Sequence, residues 1–136
     1  MEKIQILYPA FASVLLPILI AFKMRLNVGE NVKNKNISFG YLRAYQGDNI
    51  PEEMRVIRDT YKNQFEIPIL FYLLVAVMYA NNTLQQVDII LAWIFVVSRY
   101  IHTYIRITSN NVMQRARMFI VGMFVLLCGW VRFLFC

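Results

Sequence analysis

Four long apolar segments, separated by polar connections, dominate the pattern of the chain. They lie at about residues 4–24, 51–80, 84–107 and 112–135. At 1.5 Å per residue, each segment is long enough to cross the hydrocarbon core of a bilayer as an α-helix. The pattern therefore predicts an all-α integral membrane protein, a four-transmembrane-helix bundle that forms a single membrane domain over residues 1–136.

The ends of these segments carry helix start and stop signals. Pro51 followed by two acids is typical of a helix start, and Asn81-Asn82 ends the same helix. Thr83-x-x-Gln86 has the form of a capping box that opens the third helix. The long polar connection, residues 25–50, is predicted to be a loop that is either solvated or laid over one face of the membrane.

Positive charge is concentrated at one end of the predicted bundle. The formal net charge is +6, and every lysine and arginine except Lys3 and Arg132 falls on one side of the membrane segments. The positive-inside rule predicts that the 25–50 connection and the 109–111 turn are cytoplasmic, with both termini outside. Because the basic residues flank apolar segments, topology explains them, and nucleic acid is not expected as a partner.

The two cysteines indicate no further chemistry. Cys128 and Cys136 lie eight residues apart, without Cys-x-x-Cys spacing and without clustered histidines. This pattern excludes an obvious disulfide framework, a zinc site and a thiol relay, so no metal ligands are expected.

A first polar group lies at the edge of an apolar run, in residues 58–68. No turn is predicted within this stretch, so Asn63 and Glu66 would share one face of a continuous helix. Pro68 has no backbone N–H, so one helical hydrogen bond is lost and a bend is favoured near this residue. A carboxylate at the edge of a membrane span is costly unless it has a partner or a wet cavity, which makes Glu66 a candidate functional residue. The alternative is an interfacial glutamate that reaches out to water.

A second polar group lies in the third and fourth segments. Arg99, His102 and Arg106 follow the spacing i, i+3, i+7 and form one helical stripe, while Arg115 and Arg117 open the fourth helix. All are predicted at the membrane level of the first polar group. A basic layer that also holds a glutamate, an asparagine and a histidine suits a small anionic ligand that carries an amine. Anchoring of lipid headgroups is the alternative interpretation.

These motifs resemble a known family. Asn63-x-x-Glu66 with a following proline, Arg99-x-x-His102-Thr103 and then Arg115 are similar to the pattern of the MAPEG family, the membrane-associated proteins in eicosanoid and glutathione metabolism, and to its bacterial branch. The resemblance implies a homotrimer of four-helix subunits in an inner membrane, surrounded by membrane lipid. It also implies that glutathione binds between neighbouring subunits near the cytoplasmic face.

The resemblance also implies roles for individual residues. Asn63 and Glu66 would bind glutathione, with Glu66 at its amino group, and Arg99 and His102 would support the site. Arg115 matches the arginine that stabilises the glutathione thiolate, which would then attack a lipophilic electrophile from the bilayer. Two further arginines complete the candidate cofactor-binding set, namely Arg58 and Arg106.

Three positions depart from the pattern of the eicosanoid enzymes of the family. Asp59 stands where those enzymes have an arginine, and Arg106 and Phe119 stand where they have tyrosines. Two hypotheses follow. The chain is either a glutathione-dependent membrane transferase or peroxidase, or a non-catalytic trimer that binds lipid or serves as an accessory subunit of a larger membrane complex.

Overall fold

The computed structural model describes residues 2–44 and 50–136, and these residues form helices and short connections without any β-strand. A 3₁₀ turn, Lys3–Ile6, leads into the first helix. The helices of this part of the chain are α1 (Leu7–Lys33), α2 (Phe39–Ala44), α3 (Glu52–Asn63), α4 (Ile67–Asn81), α5 (Gln86–Ile107) and α6 (Val112–Phe135). With α3 and α4 taken together, they provide four spans long and apolar enough to cross a membrane. The predicted fold class is confirmed.

The first helix continues past the end predicted for it. α1 reaches Lys33 and stops where Lys35 adopts the left-handed conformation, with φ 59°. The extension carries Val28 and Val32 onto a small apolar cluster that α2 and α3 also contact. Partial burial of these two valines favours helix in a stretch that was predicted to be loop. α2 occupies a further part of that predicted loop, and residues 45–49 lie outside the described residues.

The second predicted helix, residues 51–80, is divided by a turn, so the prediction of a continuous helix through residues 58–68 is wrong. α3 ends at Asn63, and α4 begins one residue before Pro68. Pro68 has no N–H to donate, and its ring would clash with the carbonyl four residues earlier, that of Gln64. The chain therefore leaves the helix at Gln64, and Glu66 takes φ −97° and ψ −97° before α4 starts.

The third membrane helix begins two residues later than predicted. Its N-cap is Gln85, whose backbone N–H donates to Oδ2 of Asp88 at 2.8 Å. The capping box predicted at Thr83-x-x-Gln86 is therefore wrong. Asn82 takes the left-handed conformation, with φ 55°, and the residues after it are not helical, which moves the helix start along the chain.

The main core packs α4, α5 and α6 together beside the start of α1. The rings of Phe71 and Phe95 stack there with centroids 4.5 Å apart. Gly129 lets α6 approach α4, because a Cβ on Gly129 would lie 2.8 Å from Cδ2 of Leu74. The outer surface is apolar: Phe124, for example, is 66% exposed, as expected for a side chain that faces lipid.

The two ends of the bundle differ in their charged residues, and two names are used for them below. The basic end is the one that carries Arg99, Arg106 and Arg115. The Asp88 end is the opposite one, where Asp88 of α5 faces Arg132 of α6.

Candidate functional site

The candidate site lies at the basic end, where the end of α3 meets α5 and the start of α6. Arg99 of α5 is at its centre and is only 3% exposed. Its Nη2 donates to the backbone carbonyl of Asn63 at a long 3.4 Å, and its buried Nε has no hydrogen-bond partner among the described residues. A buried guanidinium is costly unless its charge and donors are satisfied, so Arg99 has capacity for a further partner.

His102 lies one turn further along α5 and is also buried. Its ring faces that of Phe119 on α6, with centroids 6.3 Å apart. Nδ1 is buried and has no hydrogen-bond partner in the part of the chain that the structure describes. The guanidinium groups of Arg99, Arg106 and Arg115 are all close enough to the imidazole to act on it electrostatically.

Arg106 continues the same stripe of α5 and reaches across to α3. Its Nη2 lies 4.0 Å from Oδ2 of Asp59. The other carboxylate oxygen of Asp59 lies 3.8 Å from Nε of Arg58, whose Nη1 donates to the Tyr41 hydroxyl at 2.9 Å. Asp59 therefore lies between two arginines, and Arg58 also binds Tyr41 of α2.

Arg115 is held by the turn that precedes α6. Its Nη1 donates to Oδ1 of Asn110 at 2.6 Å, and Asn110 takes the left-handed conformation with φ 50°. Asn111 caps the helix, because its side chain accepts the N–H of Gln114 at 3.1 Å. The short polar turn thus fixes the first turn of α6, which places Arg115 beside Arg106 and His102.

The prediction that Asn63 and Glu66 share one face of a continuous helix is wrong. The helix ends at Asn63, and the group of Asn63 that meets the site is its backbone carbonyl. Glu66 is exposed at the start of α4, yet its carboxylate acts electrostatically on Arg99 and Arg106. The turn therefore keeps both residues beside the basic side chains by a different geometry.

Gln64, which was not among the predicted site residues, joins the helix break to α5. Gln64 is 2% exposed, and its Nε2 donates to the Thr60 carbonyl at 3.0 Å and to Oγ1 of Thr103 at 3.3 Å. The available signal was its position four residues before Pro68. Proline has no N–H to donate, so the Gln64 carbonyl cannot make the hydrogen bond that would continue the helix. Thr103, already part of the recognised motif, thus has a structural role in positioning α5.

The arrangement concentrates positive charge around a small set of free donors. Among the described residues, the carboxylates that act on Arg99 and Arg106 are those of Asp59 and Glu66. Guanidinium donors that are charged and pre-oriented bind carboxylates strongly and often through two bonds. The chemistry therefore suits an anionic ligand. No group of three metal-binding side chains occurs among the described residues.

A scan against protein families gives an independent result. The model of the MAPEG family matches residues 6–135, a range that contains every helix from α1 to α6. The match confirms the family resemblance that the motifs had indicated. Comparisons with curated proteins and with solved structures found no match to the chain.

Proposed function

The chain belongs to the MAPEG family, an integral membrane family of the glutathione-related transferase and peroxidase type, and we propose that it uses glutathione to modify lipophilic electrophiles. One observation carries the proposal. Buried basic groups converge at one end of a membrane bundle while Nε of Arg99, Nε of Arg106 and Nδ1 of His102 lack hydrogen-bond partners among the described residues. Ionisable residues inside a membrane span that are not self-satisfied favour a ligand-binding role.

The polar groups of glutathione match the charges of the site. Glutathione carries two carboxylates, one amino group and one thiol. Arg99 and Arg106 offer charged donors for the carboxylates. Arg58 lies next to Asp59, which also pairs with Arg106. Glu66 is exposed beside these arginines and offers a carboxylate for the amino group. In this proposal Asn63, half-buried at the end of α3, also contributes its side-chain amide to binding.

Arg115 is the proposed catalytic residue. The positive charge of a guanidinium near the glutathione sulfur favours the thiolate over the thiol, because an opposite charge stabilises the ionised form. Arginine suits this role better than lysine, since it stays protonated when partly buried. The thiolate then attacks the electrophilic atom of an apolar acceptor, a carbon–sulfur bond forms, and the leaving group departs with the bonding electron pair.

The proposed assembly is a homotrimer in a bacterial inner membrane. The basic end would face the cytoplasm, and both termini would lie on the other side. Glutathione would bind between neighbouring subunits, and the exposure of Glu66 supports a site completed by another chain. Apolar acceptors would enter from the lipid that surrounds the outer surface.

The test is the ultraviolet absorbance of the thiolate when glutathione is added to detergent-purified protein. Wild type should give a thiolate signal, and Arg115→Ala should lose that signal. The same variant should also turn over a model electrophile about 10²–10³-fold more slowly, which is the usual cost of removing one donor to a developing anion. Arg117→Ala is the matched control, because this exposed arginine lies two residues along α6 and should leave both signals unchanged.

A second function is favoured by one contact. Phe119 presents an apolar ring to His102, so this position offers no hydroxyl to a ligand. This supports a non-catalytic trimer that binds lipid or acts as an accessory subunit of a membrane complex. Absence of a thiolate signal from an intact oligomer, together with a stoichiometric partner after mild purification, would favour this second function over the first.

A further inference from the structure

We propose that Asp59 is a positioning residue that holds Arg106 in the orientation in which it binds an acidic group of the ligand. The inference rests on the proposed function and extends it to Asp59, whose negative charge would repel the acidic groups of the ligand. Asp59 therefore acts through Arg106 and does not contact the ligand.

The geometry connects two helices through one carboxylate. Oδ2 of Asp59 on α3 lies 4.0 Å from Nη2 of Arg106 on α5, and Oδ1 lies 3.8 Å from Nε of Arg58. In the described part of the chain, both ion pairs of the basic end are made by Asp59. Nε of Arg106 is buried without a hydrogen-bond partner there, so Asp59 engages one edge of the guanidinium and leaves another donor free.

Arg106 needs such a partner because Arg115 carries a like charge nearby. Arg115 acts on Arg106 as a like charge, whereas Asp59 and Glu66 act on it as opposite charges. Without Asp59, repulsion from Arg115 would favour orientations of Arg106 that turn away from the site. Asp59 also lies one helical turn before Asn63, so the carboxylate and the rim of the site share one face of α3.

The two residues of this pair are also two of the positions that depart from the family pattern. Asp59 occurs in place of an arginine, and Arg106 occurs in place of a tyrosine. The positive charge that is absent from position 59 of α3 is therefore present at position 106 of α5, where it pairs with the residue that replaced it. The departures are consistent with a site whose cation has moved from one helix to another.

The sign of one mutational effect tests the proposal. If Asp59 were only a negative charge near an anion site, Asp59→Asn would make the site more positive and would tighten binding of glutathione. If Asp59 positions Arg106, the same substitution weakens binding although the site becomes more positive. The two explanations predict opposite changes in the dissociation constant.

The experiment is isothermal titration calorimetry, which measures the dissociation constant of glutathione for the purified, detergent-solubilised full chain. Asp59→Asn should raise the dissociation constant by about two- to five-fold, as expected for a partly exposed ion pair, and Arg106→Gln should raise it by about tenfold. Asp59→Asn combined with Arg106→Gln should bind no worse than Arg106→Gln alone, because Asp59 acts through Arg106. Asp59→Glu keeps the charge and should restore binding to nearly the wild-type value.

Glu30→Gln is the matched control, since it removes one exposed carboxylate from α1 and should not change binding. Size-exclusion elution of each variant at the wild-type volume shows that the fold and assembly are retained. Tighter or unchanged binding by Asp59→Asn, or additive losses in the double variant, overturns the role of Asp59 alone. Absence of glutathione binding by wild type overturns the proposed function and this inference together.

Discussion

The Asp88 end and the basic end both contain arginine–carboxylate pairs, but they differ in how many of the arginine donors have partners. At the Asp88 end, Arg132 donates through Nε and Nη2 to the carboxylate of Asp88, whose side chain is fully buried and also accepts the N–H of Gln85. At the basic end, arginines outnumber carboxylates, and donors of Arg99 and Arg106 remain without hydrogen-bond partners among the described residues.

The difference separates a structural ion pair from a candidate binding site. A buried ion pair is tolerated when geometry and additional hydrogen bonds compensate for the loss of hydration. Asp88 and Arg132 meet that condition within the chain itself. The basic end does not meet it, so the missing interactions must come from a ligand, from solvent or from another subunit. An arginine in a membrane span therefore indicates function only after its partners have been counted.

The largest effect on stability is expected from breaking the complete ion pair. Asp88→Asn leaves the Arg132 guanidinium without its counter-charge and should lower the unfolding free energy by roughly 3 kcal/mol. Unfolding in detergent micelles, followed by circular dichroism, measures the loss. Asp88→Leu combined with Arg132→Met should recover most of it, because an apolar pair of similar size needs no hydration. A double variant as unstable as Asp88→Asn would mean that the carboxylate is needed for the helix cap.

A smaller loss is expected from crowding the α4–α6 contact near the Asp88 end. Gly129→Ala would place a Cβ 2.8 Å from Cδ2 of the buried Leu74 and should lower the unfolding free energy by about 1–2 kcal/mol. Gly29→Ala, on α1 at the basic end, is the matched control. Its new methyl group would meet nothing closer than 4.0 Å, so alanine should be neutral or slightly stabilising in the helix. Equal losses in the two variants would contradict the difference in packing.

The smallest effect is expected at the helix break. Gln64→Ala removes the hydrogen bonds to the Thr60 carbonyl and to Thr103 and should cost about 1 kcal/mol of unfolding free energy. The same unfolding measurement applies, with Gln114→Ala on the exposed side of α6 as the control. A loss no larger than that of the control would show that the break depends on Pro68 and not on Gln64.

The site could be predicted only in part. Arg99, His102 and Arg106 follow a helical period, so their common stripe was visible in the sequence, and α5 is continuous through all three. The same helical period predicted that Asn63 and Glu66 share a face, and this prediction was wrong. Pro68 interrupts the helix about four residues before its own position, between Asn63 and Glu66. The contact of Asp59 with Arg106 joins residues on different helices, and no periodicity within either helix contains it.

The sequence by itself determined the class of the protein. Four apolar segments of membrane length and an asymmetric charge distribution are local properties, and a bilayer accepts only backbones that satisfy their own hydrogen bonds. Only the tertiary structure decided which charged groups are satisfied. The partners Asp88 and Arg132 lie 44 residues apart, and Gln64 and Thr103 lie 39 apart. Such pairings depend on how the helices pack, since the energy of a buried charge is set by neighbours in space and not by neighbours in the chain.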